Sequence, residues 1–171
     1  MCHSHSKSRM PILAAGLLCY RRIGEEIQVL LVHPGGPYFK NKDNGSWSIP
    51  KGEAEVGEDD MFKVAKREFC EETGHTLNEQ DFEFVFVGSV RRKGGKTVFI
   101  WAFEGDLDER KIQSNMITLE WPPKSGRQIQ IPEVDRGDWF DLEQARMKLV
   151  PYQVPILDSF EEMCSQLDRV E

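Results

Sequence analysis

The chain has 171 residues, the size of one domain, and its 39% hydrophobic and 30% charged residues are typical of a globular protein. This composition excludes a disordered or fibrous protein. No apolar run approaches the roughly 20 residues of a membrane helix, so we expect no membrane partner. The net charge of -7, from 22 Lys and Arg against 29 Asp and Glu, argues against a general nucleic-acid binder.

The acidic surplus is concentrated in one segment. Residues 52–72 contain eight acidic and three basic side chains, so this stretch carries -5 of the total charge. The other 150 residues together carry only -2. The charge is therefore a local feature, and we expect it to mark a site.

The four cysteines are far apart and include no Cys-x-x-Cys pair, which indicates neither a zinc knuckle nor a disulfide framework. We expect reduced thiols and a cytoplasmic protein.

Residues 1–10 are polar and are predicted to be a flexible N-terminus. Residues 11–20 look like the apolar segment of a signal peptide, but no small-x-small cleavage site follows and Arg21-Arg22 ends the run, which favours a buried first strand.

Apolar runs at residues 12–20 and 27–33, separated by a polar turn, predict a pair of strands. The Pro-Gly-Gly-Pro sequence at 34–37 ends the second strand, and a long loop then leads to a short strand-like segment at 47–52. Loops of this length inside a compact domain are commonly functional.

Residues 59–73 are predicted to form a helix, with apolar residues at spacings of three and four, acidic residues in the first turn and Gly74 as the C-cap. Strands are predicted at 82–90, 97–103 and 117–121, and helices at 142–149 and about 154–167. Mixed strands with a few separated helices predict an α+β fold or an α/β/α sandwich.

Three carboxylates lie on one face of the predicted helix, because Glu68, Glu71 and Glu72 fall within an arc of roughly 100°. Like charges at this spacing repel one another. A hard divalent cation such as Mg²⁺ or Mn²⁺ offsets that repulsion, since it prefers carboxylate and carbonyl oxygens. The alternative is a solvated acidic face without a ligand.

The wider pattern around these residues follows Pro50-Lys51 and reads Gly52-x5-Glu58-x8-Arg67-Glu68-Phe69-x-Glu71-Glu72-x-Gly74. It resembles the Nudix box, the signature of the Nudix hydrolase family. The resemblance implies an α/β fold, namely a Nudix-type α/β/α sandwich with a mixed sheet and the box helix after a glycine-containing loop, as a single domain over residues 11–171. The Pro-Gly-Gly-Pro and Trp-Pro-Pro segments look like a bacterial-type, MutT-like subgroup that acts on nucleoside triphosphates.

The chain departs from the box at two places. Eight residues separate Glu58 from Arg67 where the family usually has seven, so either Glu58 or Asp59 is expected to pair with Arg67. His75 stands where the box usually ends in an apolar residue.

The resemblance implies that Glu68, Glu71, Glu72 and the backbone carbonyl of Gly52 bind Mg²⁺ or Mn²⁺. It also implies hydrolysis of a pyrophosphate bond in a nucleoside diphosphate linked to another group, with a nucleoside triphosphate or a dinucleoside polyphosphate as the main candidates. The alternative is a Nudix-fold nucleotide-binding module without catalysis.

For the general base, Glu133 is the first candidate and Glu120 the second, beside the box glutamates Glu68 and Glu71 as catalytic residues. Lys51 and Arg91 are the main candidates for binding phosphate oxygens, and Trp47 for stacking on a base. Further candidates are Arg92, Lys96, Lys124 and Arg127 for phosphate and Tyr38 and Phe39 for a base. The amphipathic C-terminal helix fits either a monomer or a homodimer.

Overall fold

The computed structural model describes residues 11–170; the predicted flexible segment 1–10 and Glu171 lie outside the described residues. The described part contains eight strands and three α-helices: β1 (Ile12–Ile23), β2 (Glu26–Pro34), β3 (Lys51–Glu53), α1 (Met61–Thr73), β4 (Phe84–Arg92), β5 (Lys96–Glu104), β6 (Met116–Glu120), β7 (Gln128–Pro132), β8 (Val134–Asp141), α2 (Leu142–Lys148) and α3 (Pro155–Val170).

Six strands form one mixed sheet in the order β4-β5-β1-β2-β8, with β3 paired to β1. The β1–β5 pair is parallel and the other pairs are antiparallel. β6 and β7 form a separate antiparallel hairpin. The predicted α/β fold with a mixed sheet is therefore confirmed.

The middle of strand β1 is apolar because both of its faces are buried from Ala14 to Tyr20, whereas Arg21 and Arg22 near its end are not buried. Ala15, Leu17 and Cys19 pack in one core cluster together with α1, and Leu18 and Tyr20 pack in the other together with α2 and α3. Since successive side chains of a strand point to opposite faces, one strand contributes to both cores. Its apolar run reflects this central position, as the sequence indicated.

Helix α1 begins two residues later than predicted, at Met61. Asp60 is its N-cap and accepts a hydrogen bond from the backbone N–H of Lys63. Asp59 and Asp60 therefore precede the first turn of the helix and do not belong to it. At the other end Gly74 adopts the left-handed conformation, with φ of 74°, as expected for a C-cap.

Strand β7 and the first half of β8 were not predicted. β7 alternates polar and apolar residues, which is the signal that indicates a strand, but it is short and pairs only with β6.

Among residues 11–170, no helix combines the length and the apolar character that crossing a bilayer requires.

Candidate active site

The carboxylates of α1 project from a helix that is anchored to the sheet. Val64 and Phe69 are fully buried, and the same stripe continues into Glu68 and Glu72, which are only 9% and 7% exposed. Glu71 lies on the solvent side of the helix. The helix thus places two carboxylates in the interior and a third at the surface beside them.

Strand β3 lies directly against these carboxylates. The backbone N–H of Lys51 donates to Oε2 of Glu72 over 2.9 Å. A Cβ at Gly52 would overlap the carboxylate of Glu68, so this close approach requires glycine. The box glycine therefore leaves room for Glu68 beside its own backbone.

Burial makes the charged forms of both interior carboxylates unfavourable. It raises the pKa of Glu68 to about 7, and the charge of Glu71 adds to the shift. Burial also raises the pKa of Glu72 to about 8, where the charges of Glu133 and Glu68 raise it further and Lys51 opposes them. Near neutral pH these groups hold protons unless positive charge compensates them.

The donor set fits a hard divalent cation. Glu68, Glu71 and Glu72 supply only carboxylate oxygens, and Gly52 supplies a backbone carbonyl on the adjoining strand. Two buried carboxylates with raised pKa values are the groups that a cation would stabilise in their charged form. Within residues 11–170, no three His, Cys, Asp or Glu side chains already converge as a metal cluster.

Glu133 lies between β7 and β8, where its charge reaches both Glu68 and Glu72. Its backbone N–H donates to the carbonyl of Asn115 over 3.0 Å, and the N–H of Asn115 donates to the carbonyl of Glu71 over 2.9 Å. This chain of hydrogen bonds fixes Glu133 relative to the end of α1. Glu120, in contrast, accepts from the N–H of Gly126 within the β6–β7 hairpin.

A cavity of about 450 Å³ opens beside the carboxylates. Lys51, Glu72 and Glu133 line one part of it, and Phe39 and Tyr152 are among the residues that line the rest. Its size is within the range of small-ligand pockets, and it combines apolar walls with a few charged groups.

A model of the NUDIX domain matches residues 10–160. The chain belongs to the Nudix hydrolase family. No curated protein sequence matches it.

Several solved structures share the Nudix fold with the chain. An Ap4A hydrolase of C. elegans in a binary complex is 26% identical, with a TM-score of 0.59, over 91% of this chain and 98% of that chain. The NUDIX domain of Shewanella oneidensis NrtR, complexed with ADP ribose, is 15% identical, with a TM-score of 0.59, over 91% of this chain and 90% of that chain. A mutT/nudix family protein from Listeria innocua is 14% identical, with a TM-score of 0.62, over 95% of this chain and 100% of that chain.

The additional residue of this Nudix box is accommodated in the loop before α1. Arg67 donates to Oε2 of Glu58 over 2.6 Å, whereas Asp59 is exposed. Glu58 also closes a turn, because its carboxylate accepts from the N–H of Glu55 over 2.8 Å and its own N–H donates to the Glu55 carbonyl over 3.0 Å. Of the two alternatives, Glu58 is the partner of Arg67.

Replacing Glu58 with glutamine is expected to reduce kcat/KM about tenfold, because Arg67 then loses its charged partner next to Glu68. Asp59→Asn is the matched control and is expected to stay within about twofold. Steady-state hydrolase assays of both variants measure the difference. Equal losses in the two variants would contradict the assignment of Glu58.

The structure brings some of the predicted substrate residues to the cavity and leaves others away from it. Lys51 lines the cavity. Trp47 is only 4% exposed, its indole N–H donates to Asp43 over 2.8 Å, and its ring packs edge to face on Phe140. Arg91 is exposed and is not among the residues that line the cavity, whereas Arg92, the next residue along β4, does line it.

Arg92 was a further candidate behind Arg91 in the sequence, and Tyr152 was missed by the sequence reasoning. Both line the cavity, and the guanidinium of Arg92 lies 5.8 Å from the centre of the Tyr152 ring. The basic turn did indicate a phosphate-binding arginine, but neighbouring residues of a strand point to opposite sides. The register of β4 with β5, in which Arg92 is opposite Lys96, was needed to choose between the two arginines.

Proposed function

We propose that this chain is a metal-dependent pyrophosphohydrolase that cleaves a pyrophosphate bond in a nucleoside diphosphate linked to another group. The observation that carries the proposal is the pair of buried carboxylates, Glu68 and Glu72, beside a cavity that Glu72 shares with Lys51 and Glu133. Carboxylates with strongly raised pKa values cluster at the active sites of enzymes, where acid–base and metal chemistry use them. The alternative, a Nudix-fold nucleotide-binding module without catalysis, is therefore the weaker one.

Nudix hydrolases generally use divalent metal ions. In this chain Glu68, Glu71, Glu72 and the carbonyl of Gly52 would hold Mg²⁺ or Mn²⁺. Such a cation supplies positive charge that stabilises the negative charge developing on the phosphate oxygens.

The remaining groups of the site have roles that follow from their positions. Glu133 accepts the proton of the attacking water as the water oxygen bonds to phosphorus and the bridging phosphorus–oxygen bond breaks. The two products are a nucleotide and the phosphorylated remainder. Lys51 contacts phosphate oxygens, and Glu72 holds Lys51 in place through its backbone N–H.

For the substrate, the likeness to the C. elegans Ap4A hydrolase at 26% identity favours a dinucleoside polyphosphate. The MutT-like pattern in the sequence favours nucleoside triphosphates, and both classes share the polyphosphate that the site would contact. Tyr152 is suited to stacking on a base at the apolar side of the cavity. We propose that the domain acts on these nucleotides in the cytoplasm, as a monomer or a homodimer.

The proposal is tested with a panel of nucleoside triphosphates, dinucleoside polyphosphates and nucleotide sugars, incubated with Mg²⁺, with Mn²⁺ or with a chelator. Products are separated by chromatography. We expect at least one substrate to be cleaved with either metal and none with the chelator. Tight nucleotide binding without cleavage of any substrate would favour the binding module.

The two neighbouring arginines of β4 provide a matched pair of variants. Arg92→Ala is expected to raise KM about tenfold, because Arg92 lines the cavity and Arg91 does not. The sequence-based candidate Arg91 is tested in parallel, and Arg91→Ala is expected to change KM less. Kinetic constants of both variants decide which arginine contacts substrate, and a larger effect at Arg91 would overturn this expectation.

A further inference from the structure

His33 is a buried ionisable side chain to which the proposed reaction assigns no role. It lies on β2 and is 0% exposed. Its ring packs edge to face against Trp47, with the ring centres 5.1 Å apart. Both of its nitrogens must therefore find partners within the protein.

The two nearest partners of the ring are hydrogen-bond acceptors. Nε2 lies 2.6 Å from the carbonyl oxygen of Lys42, and Nδ1 lies 2.9 Å from Oδ1 of Asp135. A neutral imidazole has only one N–H, so it can satisfy one of these contacts. Making both requires a second proton, which either sits on His33 as an imidazolium or is shared with the carboxylate of Asp135.

The charges around the ring are few. From β8, Asp135 contacts Nδ1, and Nη1 of Arg136 lies 3.4 Å from Nδ1 and 3.4 Å from Oδ1 of Asp135. The contact with Asp135 is the shorter one, so we take Asp135 as the main partner of Nδ1 and Arg136 as a second, more distant one.

The charged groups of the neighbouring loop and helix are engaged elsewhere. The ammonium of Lys42 lies 3.8 Å from the centre of the Tyr38 ring. Asp43 accepts from Trp47 and from Lys148 of α2. Among the described residues, Asp135 is therefore the carboxylate that bears on the protonation of His33.

These two contacts join the walls of the cavity. Lys42 belongs to the loop of residues 35–46, which carries Phe39 to the cavity, and Asp135 lies two residues beyond Glu133 on β8. The same loop also donates from the N–H of Gly35 to the carbonyl of Glu133 over 3.0 Å. His33 thus fastens the loop to the segment that holds the candidate general base.

We propose that His33 is a positioning residue whose second proton clamps the loop of residues 35–46 to β8, and so sets the shape of the cavity. The link to catalysis rests on the proposed function, since Phe39 and Glu133 matter only if the cavity is the active site. Loss of that proton leaves two lone pairs facing each other, and one contact breaks. The loop then loses its link to Asp135 through the ring, and only the longer contact between Nδ1 and Nη1 of Arg136 joins the ring to β8.

The clamp is tested first by ¹⁵N NMR of the histidine rings in the metal-free wild-type protein, with the spectrum of His33→Phe used for assignment. At about pH 6.5 we expect N–H signals on both nitrogens of His33. When the second proton is lost as pH rises, the backbone amides of residues 35–46 are expected to shift with the same midpoint. A singly protonated His33 at this pH, or loop amides that ignore its titration, would overturn the proposal.

Asp135→Asn is the matched variant. Its amide can donate to Nδ1 while Nε2–H still donates to Lys42, so a neutral His33 keeps both contacts. We expect the loop amides of this variant to stay unchanged across the pH range in which those of the wild type shift. A loop that responds to pH as in the wild type would contradict the role of the shared proton.

Kinetics then separate the clamp from the function. His33→Phe keeps a ring but removes both contacts, and it is expected to raise KM about tenfold with a smaller change in kcat. An equal fall in kcat at unchanged KM would contradict the positioning role. If the NMR results hold while the wild type cleaves no nucleotide, the proposed function fails and the clamp stands.

Discussion

Replacing Glu71 with glutamine is expected to lower metal-dependent kcat/KM by about a hundredfold to a thousandfold while the protein stays folded. Glu71 is exposed, so the substitution leaves the packing of α1 intact. The amide retains an oxygen but loses the negative charge that attracts a divalent cation. The loss is therefore expected in activity and not in stability.

The variant is compared with Glu162→Gln, which changes an exposed glutamate of α3 in the same way. Initial rates are measured over a range of Mg²⁺ concentrations, and circular dichroism checks the fold. The control is expected to match the wild type. Full metal-dependent activity in Glu71→Gln would mean that the carboxylates of α1 are not the metal site.

Replacing Glu72 with glutamine is expected to abolish activity and at the same time to stabilise the metal-free protein at alkaline pH. Burial raises the pKa of Glu72 from 4.5 to about 8, so the folded protein binds a proton that the unfolded chain has released. The free energy of unfolding therefore falls as pH rises from 4.5 to about 8, and the whole penalty is present above that range. Glutamine carries no charge and still accepts from the N–H of Lys51.

The expected gain in Glu72→Gln at about pH 9 is on the order of 5 kcal/mol, and it disappears at about pH 4. Chemical denaturation in the presence of a chelator measures it at both pH values. Glu71→Gln is the control, because an exposed carboxylate carries no comparable burial penalty. If Glu72→Gln is no more stable than the wild type at alkaline pH, the ionised carboxylate of Glu72 does not destabilise the folded protein.

At alkaline pH, Mg²⁺ is expected to make the wild type more stable than Glu72→Gln. It stabilises the wild type more at alkaline pH than at acid pH, since protons and the cation compete for the same carboxylates. The variant lacks one of these carboxylates and gains less.

Features that depend on local spacing were predictable from the sequence. The helical period placed Glu68, Glu71 and Glu72 on one face of α1, and the left-handed Gly74 ended the helix as expected. The apolar run of β1 indicated a buried strand because both of its faces pack against helices. The Nudix box added the expectation of an α/β fold, which the structure confirms.

Features that depend on contacts between distant segments were not predictable. Glu58 and Asp59 are adjacent, and only the path of the loop 54–60 shows which one meets Arg67. Aromatic character alone does not separate Trp47, which packs in the core, from Tyr152, which lines the cavity. His33 lies in an apolar run, and its partner Asp135 is 102 positions away.

The reaction proposed for this site is hydrolysis of a pyrophosphate bond by water. It is tested most directly by incubating the wild-type protein with its best substrate from the panel in ¹⁸O-labelled water, with Mg²⁺ or with a chelator, and analysing the products by mass spectrometry. We predict that one phosphate of one product gains a single ¹⁸O at each cleavage, with Mg²⁺ only, and that Glu71→Gln forms little product. Cleavage that persists in the chelator, products without ¹⁸O, or no cleavage of any nucleotide would rule out metal-dependent hydrolysis at this site.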